Sequence, residues 1–445
     1  RRHSRYIGDW SSDVCSSDLG CQMNVYDSDR MLEAISKTHK PVSSPKDADA
    51  ILINTCHIRE KAAEKVYSEV GKYSDLKNNK KNLKVIVAGC VAQAEGNAML
   101  RRQPLIDSII GPQMYQNLSK ILLDETNKKN VLLDFREEEK FSKLGTKRNL
   151  ASISSFITIQ EGCDKFCSFC VVPFTRGAEY SRSVEEIVNE AESLCQKGSK
   201  ELILLGQNVN AYHGLNNSNI QINLAELIKE LANISQLERI TYTTSHPRDM
   251  NNDLINMHLD CEKLNPYLHL PVQSGSDSIL KNMNRKYTAT QYINIIEKLR
   301  KKVPNIAISS DFIVGFPGET KKDFQETLKL VKEVKFAQSY SFKYSRRIGT
   351  KANRINCSIT EEEKSERLHE LQTLLNKQKT EYNNGFINKE VEVLVKGKGK
   401  REKQFRGTTK WMQSVIFECD DSLDVDKVCL KISSAEDNCL LGDLI

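Results

Sequence analysis

Between Gly20 and about Asp134, short apolar runs alternate with stretches of helical period. Ala50–Ile53, Leu83–Ala88, Ser108–Ile110 and Val131–Leu133 read as strands. Asp27–Lys37, Arg59–Leu76 and Gln113–Leu123 read as helices. Such alternation predicts βαβ units and a mostly parallel sheet covered on both faces. Residues 135–150 are polar and charged and read as a linker. A second α/β run follows, with strands at Phe156–Ile159, Glu201–Leu205, Arg239–Thr243, Tyr267–Leu270, Ala307–Val314 and Gln338–Phe342. Helices over Ser183–Gln196, Leu224–Leu231, Ala289–Lys301 and Lys322–Val334 lie between them. This number of units suits a partial (β/α) barrel better than a closed eightfold one. Glu361–Tyr382 reads as an amphipathic helix. From Glu390 the apolar period falls to two, through Val391, Val393 and Val395 and then Val415–Phe417 and Val428–Ile432, which predicts a small β-barrel. Residues 1–19 show neither period: the Ser-Ser-Asp of 11–13 returns at 16–18. They read as a leader of doubtful origin, with no strand ahead of Gly20.

The length of 445 residues allows about three domains at roughly 150 residues each. No run of about 18 apolar residues occurs, which excludes a membrane-spanning helix. The net charge of +6 permits nucleic-acid binding without arguing for it. The 13 cysteines change the picture more. Their number is odd, and Arg1–Leu19 lacks the apolar core of a secretory signal, so a disulfide framework is not expected. Metal or cluster ligation in a cytoplasmic protein is the remaining common use.

Cys163, Cys167 and Cys170 form a C-x3-C-x2-C triplet directly after the apolar strand Phe156–Ile159, at the carboxyl end where barrel folds place their chemistry. Three thiolates hold three irons of a cubane cluster and leave the fourth open. The alternative, structural zinc, normally takes four protein ligands in paired C-x2-C arms, and no fourth ligand lies nearby in sequence. Cys21, Cys56 and Cys90 are spaced by 35 and 34 residues, about one βα unit each. Each follows an apparent strand end or begins a loop, and parallel strands end about 5 Å apart, so three such loops can converge. Packing cysteines remain the alternative for this set. From Lys396 to Lys410, seven basic residues face the single acid Glu402. A basic loop on a small barrel is a phosphate-tracking surface, and Phe405 and Trp411 lie close enough to stack bases. Arg176 and Arg182, just beyond the cysteine triplet, are candidates for a carboxylate or an RNA phosphate. His246 reads as polar lining or as structural.

In chain order the sequence contains GCQMN (20–24), INTCHIRE (53–60), AGCVAQ (88–93), GCDKFCSFCVVPFTRG (162–177), LLGQNVNAY (204–212), TSHPRDM (244–250), LHLPVQSGS (268–276), MNRKYT (283–288) and DFIVGFPGET (311–320). Together these resemble the radical S-adenosylmethionine methylthiotransferases, and the resemblance runs from Gly20 to the end. It implies an α/β protein of three parts: an N-terminal methylthiotransferase domain over 20–134, a radical S-adenosylmethionine partial barrel over 151–380, and a TRAM RNA-binding barrel over 381–445. It implies two [4Fe-4S] clusters, a radical cluster on Cys163, Cys167 and Cys170 and an auxiliary one on Cys21, Cys56 and Cys90. S-adenosylmethionine is the implied cofactor, with Gly206, Gln207, Asn208, Gln273, Ser274 and Asp311 as its candidate contacts. Phe166 and Phe169 are placed to shield the radical cluster. The implied substrate is a tRNA anticodon stem-loop, carried by Lys398, Lys400, Arg401, Lys403, Arg406 and Trp411. A flavodoxin or ferredoxin is the implied type of electron donor; the expected state is a monomer, and no residue suggests a sulfur donor.

Within the family, the motifs resemble most the members that modify carbon 2 of N6-dimethylallyladenosine at position 37 of tRNA. Sister enzymes act on threonylcarbamoyladenosine or on a ribosomal-protein aspartate. A rival from another class is a non-catalytic RNA-binding protein with structural metal. Two departures stand out. Ile348 replaces a proline in the loop Tyr344–Ala352, which should loosen it. The strand that leads into GCQMN in the family is not legible here, so a weakened auxiliary site is expected.

Overall fold

The structure is a computed structural model. It describes residues 13–19, 21–56, 60–124, 126, 128–135, 137–148, 152–419, 423 and 425–445. The chain forms two compact units: Arg1–Leu150 with Gln160–Asp164 and Val171–Arg182, and Ala151–Ile159 with Lys165–Cys170 and Ser183–Ile445.

The first unit is built on a six-stranded parallel sheet. Its strands are β1 (Asp13–Leu19), β2 (Lys40–Pro41), β3 (Ala50–Thr55), β4 (Lys84–Gly89), β5 (Ser108–Ile110) and β6 (Asn130–Leu132), in the order β2-β1-β3-β4-β5-β6. β3 is buried along its whole length, because its alternate residues serve opposite cores. Leu52 packs with Ile86, Met31 and Leu118 on one face. Ile51 and Ile53 pack with Val85, Val66 and Met99 on the other. The order reverses between β1 and β3, and a doubly wound sheet places its site beyond the carboxyl ends of the strands at that point.

Two expectations are corrected here. Asp13–Leu19 is a strand, paired in parallel with all of β3 from Val14↔Ala50 to Leu19↔Thr55. The polar repeat hid it, since a strand set between two neighbours is decided by ladder pairing more than by its own propensity; Val14 is buried. The expected weakness ahead of Cys21 falls with it. The supposed linker contains a helix, Glu137–Leu144, whose Lys140 and Phe141 are buried.

In the second unit, Ser154–Thr158, Glu201–Leu205 and Arg239–Tyr242 form one parallel sheet, and Tyr267–His269, Ala307–Val314 and Gln338–Lys343 form another. A parallel bridge between Ile240 and Leu264 links them. Helices follow the strands, and Asn223, Thr288 and Thr320 start three of these with reciprocal capping boxes. One extended core, including Leu204, Ile240, Leu268, Phe312 and Leu328, fills the space between strands and helices. Glu361–Asn384 leads into a closed five-stranded barrel: Glu390–Lys398, Gln404–Thr408, Ser414–Glu418, Leu440–Leu444 and Lys427–Ala435. Arg239 bonds the Thr408 carbonyl at 2.8 Å and Glu392 at 2.9 Å, and Lys396 pairs with Glu201, so this barrel and the larger one belong to one unit. Among the described residues no helix is long and apolar enough to cross a membrane.

Candidate active site

The pairing register gathers Cys21, Cys56 and Cys90. Leu19 pairs with Thr55 and Thr55 with Gly89, so the three cysteines follow the same row of adjacent strands by one or two residues. The Cys21 and Cys56 sulfurs stand 3.8 Å apart. Gly89 lets β4 lie tight against β3 where Cys56 and Cys90 follow: its φ is +96°, and a Cβ would lie 2.3 Å from the Thr55 carbonyl oxygen. Asn54 holds the helix that follows β1, Gln22–Ile35, by donating to the Asn24 carbonyl and to Ser28 Oγ, both at 2.9 Å. The Cys56 thiol bond, with help from the Arg176 charge, pulls the Cys21 thiol down to about 6 against the effect of burial. Burial pushes the Cys90 thiol up, opposed by Arg176. His57, Ile58 and Arg59 of the second motif, and Gly20 of the first, lie outside the described residues.

Beside these thiols lies a buried ion group. Arg176 meets Asp27 at 2.6 Å and Glu161 at 3.0 Å, and Lys140 meets Glu161 at 2.6 Å and Asp27 at 3.2 Å. Gln113 donates to Glu161 and to the Arg176 carbonyl. Two cations thus balance two anions. Arg176 is therefore not available for an external carboxylate or phosphate. Arg182 is buried with its guanidinium over the Phe141 ring, so it too is structural.

In the first unit, the Cys163 amide donates to the Gly177 carbonyl at 3.4 Å. In the second, the Cys170 amide donates to the Cys167 carbonyl at 3.0 Å. Phe166 has φ +50° and is half exposed. Phe169 packs instead against the cluster of Ile279, Met283 and Phe316. The segment 282–285 clamps the loop. The Ser168 amide and hydroxyl bond the Met283 and Asn282 carbonyls, Asn284 Nδ2 bonds the Phe166 carbonyl at 2.9 Å, and Arg285 Nη1 bonds Cys167 Sγ at 3.4 Å. Sequence reasoning quoted this motif but gave it no task; a lone arginine 115 residues beyond Cys170 carries no spacing signal.

The candidate cofactor contacts divide. Gly206, Gln207 and Asn208 follow the strand Glu201–Leu205, and Asn208 bonds Asp249, which also holds Lys165 of the cysteine loop at 2.8 Å. Gln273, at φ +73°, donates its amide to the Asp311 carbonyl, which brings these two together; a left-handed non-glycine residue at a strand end is a mark of functional strain. Asp311 lies 3.5 Å from His269. Ser274 is a correction. It is fully buried and bonds Thr327 Oγ1, so it supports the fold rather than a ligand. His246 is structural as well: its Nδ1 accepts from the Arg248 amide, and burial drives its pKa down to about 2.

On the small barrel, Lys398, Lys400, Arg401, Lys403 and Arg406 are exposed on the hairpin of its first two strands. Lys396 is instead committed to Glu201. Phe405 points into the barrel core and stacks on Phe417, as the alternation around it requires, so it is closed to bases. Trp411 keeps part of its ring exposed while packing edge-on against Phe386.

The thiols fit an iron–sulfur cluster by donor chemistry: soft sulfur ligands in threes, at the carboxyl ends of parallel strands. Among the described residues no three Cys, His, Asp or Glu side chains form a cage for a single metal ion.

Comparison with known proteins gives the same architecture. The signature of the Radical SAM superfamily matches residues 157–331, and that described as uncharacterized protein family UPF0004 matches 13–111. A tRNA-2-methylthio-N(6)-dimethylallyladenosine synthase of Jannaschia sp. (strain CCS1) is 50% identical over 428 residues, 96% of this chain and 92% of the relative. Relatives of the same name in Ruegeria sp. (strain TM1040) and Wolbachia pipientis subsp. Culex pipiens (strain wPip) are 51% identical over 431 residues, covering 96% and 95% of this chain and 97% of each relative. Among solved structures, the radical S-adenosylmethionine methyltransferase TsrM from Kitasatospora setae has a TM-score of 0.55 at 11% identity, covering 77% of this chain and 74% of that one. The cobalamin-dependent radical enzyme OxsB scores 0.51 at 14% identity, covering 82% and 56%; both likenesses concern the fold alone. With half its residues identical over nearly the full length of each relative, the chain belongs to the family of the tRNA-2-methylthio-N(6)-dimethylallyladenosine synthases, within the radical S-adenosylmethionine superfamily.

Proposed function

We infer that this protein methylthiolates carbon 2 of N6-dimethylallyladenosine in tRNA, at position 37 beside the anticodon. The observation that carries the reading is the pair of cysteine triplets, one collected by strand register and one by a short loop, in a chain half identical to enzymes of that name. The target carbon bears an unactivated C–H bond, which no side-chain acid or base functionalises alone, so a cofactor must supply the hard step. When bound, an iron–sulfur cluster with an open iron supplies one-electron cleavage of S-adenosylmethionine, and the second cluster supplies the site of sulfur chemistry.

The chain's own residues hold and orient these groups. Cys163, Cys167 and Cys170 hold the radical cluster, and Cys21, Cys56 and Cys90 the auxiliary one. Gly206, Gln207 and Asn208 present a strand-end turn to the amino-acid part of S-adenosylmethionine, linked through Asp249 to Lys165. Gln273, beyond the strand Tyr267–His269, and Asp311, within the strand Ala307–Val314, serve its adenosine part. The exposed Lys398, Lys400, Arg401, Lys403 and Arg406 track the phosphates of the anticodon stem-loop. A flavodoxin- or ferredoxin-type donor, a monomeric state and a cytoplasmic location complete the reading.

The test is anaerobic incubation with dithionite, S-adenosylmethionine and dimethylallylated tRNA. The expected products are 5′-deoxyadenosine and a methylthio nucleoside by mass spectrometry, with about eight irons per reconstituted chain. Methylthiolation of threonylcarbamoyladenosine alone, or a colourless zinc protein, would overturn the reading.

A further inference from the structure

Arg285 is 5% exposed, and each face of its guanidinium is fixed. Nη1 donates to Cys167 Sγ at 3.4 Å, Nη2 to the Pro271 carbonyl at 2.6 Å, and Nε to Tyr287 Oη at 2.9 Å. The Tyr287 hydroxyl in turn donates to the Val272 carbonyl at 2.8 Å. The backbone locks the same point. The Arg285 amide bonds the Leu280 carbonyl at 2.9 Å, and its neighbours Asn284 and Lys286 have φ of +59° and +56°, a conformation that non-glycine residues avoid.

What this cation lacks is an anion. Arg30, Arg148, Arg176, Arg239 and Arg367 are all buried, and each meets a carboxylate within 3.0 Å. Among the described residues, Arg285 meets none; its partners are two neutral oxygens and one sulfur. A buried charge left uncompensated is costly, and evolution normally pairs it or removes it. The one group beside Arg285 that becomes an anion is the Cys167 thiol, on ligation.

We propose that Arg285 is the built-in counter-cation of the radical cluster, a positioning residue that orients Cys167 and eases reduction of the cluster it ligates. The proposal rests on the reading of Cys163, Cys167 and Cys170 as cluster ligands. An N–H···S bond and a fixed positive charge in a buried site stabilise the more negative, reduced cluster over the oxidised one, and so raise its potential. Burial of the guanidinium prevents water from screening the effect.

The experiment uses the full-length chain carrying Cys21→Ala, Cys56→Ala and Cys90→Ala, so that the radical cluster alone is read, with Arg285 intact, Arg285→Lys or Arg285→Gln. Each protein is reconstituted anaerobically, its iron is counted, and its midpoint potential is taken from an electron paramagnetic resonance titration. At equal iron content, Arg285→Gln is expected to make reduction about tenfold less favourable, ~59 mV for one electron. Arg285→Lys keeps the charge and restores most of the loss. An unchanged potential in Arg285→Gln overturns the proposal and leaves the cluster reading standing. If Arg285→Gln does not retain iron, the neutral Arg285→Met is read in its place: a potential lowered relative to Arg285→Lys supports the proposal, and equal potentials in the two variants overturn it. A protein with Arg285 intact that binds no iron overturns the cluster reading itself.

Discussion

The two cysteine sites obey one placement rule and differ in almost everything else. Both lie beyond the carboxyl ends of parallel strands, where the backbone turns and side chains are free to converge. The N-terminal set is drawn from three strands about 35 residues apart and depends on ladder register. The barrel set comes from eight consecutive residues and depends on a clamp supplied by 282–285. Their charges differ too. Beside Cys21 and Cys90, two cations and two anions cancel in a closed group. Beside Cys167 stands Arg285, which meets no carboxylate among the described residues. A neutral surrounding suits a site whose sulfur is to be handed on, and a positive one suits a site that must accept an electron.

The sharpest way to break this comparison is to remove one ligand from each set. Cys163→Ala is expected to abolish both 5′-deoxyadenosine and methylthio nucleoside. Cys90→Ala should still form 5′-deoxyadenosine but no methylthio product. Identical product profiles for the two variants would erase the division of labour.

Next in size is the ion group. Asp27→Asn leaves Arg176 and Lys140 sharing only Glu161, and breaking a buried pair in this way costs about 3–5 kcal/mol. The expected result is a lowered thermal transition, with loss of iron from the N-terminal set and retention by the barrel set. Gly89→Ala tests register directly. It puts a methyl group against the Thr55 carbonyl in a left-handed backbone and should cost about 1–3 kcal/mol, with auxiliary iron lost first.

The smallest effect is in the iron-free protein. Cys21, drawn down to about 6, should be alkylated at half-maximal rate near that pH, whereas Cys90, pushed up by burial, should react only at alkaline pH. The sign follows from thiolate reactivity. The depressed Cys21 value contributes stability above the unfolded thiol range, and that contribution is lost as pH falls through about 6. Cys56→Ala removes the bond that lowers Cys21 and should move its profile back toward the ordinary thiol value.

Much of this was legible along the chain because it is local or periodic. The barrel triplet is contiguous, and the even spacing of Cys21, Cys56 and Cys90 reports the βα repeat; Phe405 reads as a base-stacking ring, although the alternation around it turns it inward. What escaped lies in long-range pairing. Asp27 and Arg176 are 149 residues apart, and nothing in either neighbourhood announces the other. Arg285 sits in a polar motif whose meaning comes from a loop 118 residues earlier. β1 is a strand because β2 and β3 flank it, and its own residues carry no such period. Ser274 looked like a ligand contact until packing claimed it.

The register row Leu19, Thr55, Gly89 also sets a timetable. Iron for the N-terminal set has no complete seat until three strands separated in sequence have zipped together, so loading there follows closure of the sheet and then cross-ties it. The loop from Cys163 to Cys170 carries its three thiols in one stretch of chain and waits instead on the single clamp from 282–285. On the proposed ligand assignment the two sites thus fill on different events, closure of a sheet at one and docking of a single segment at the other.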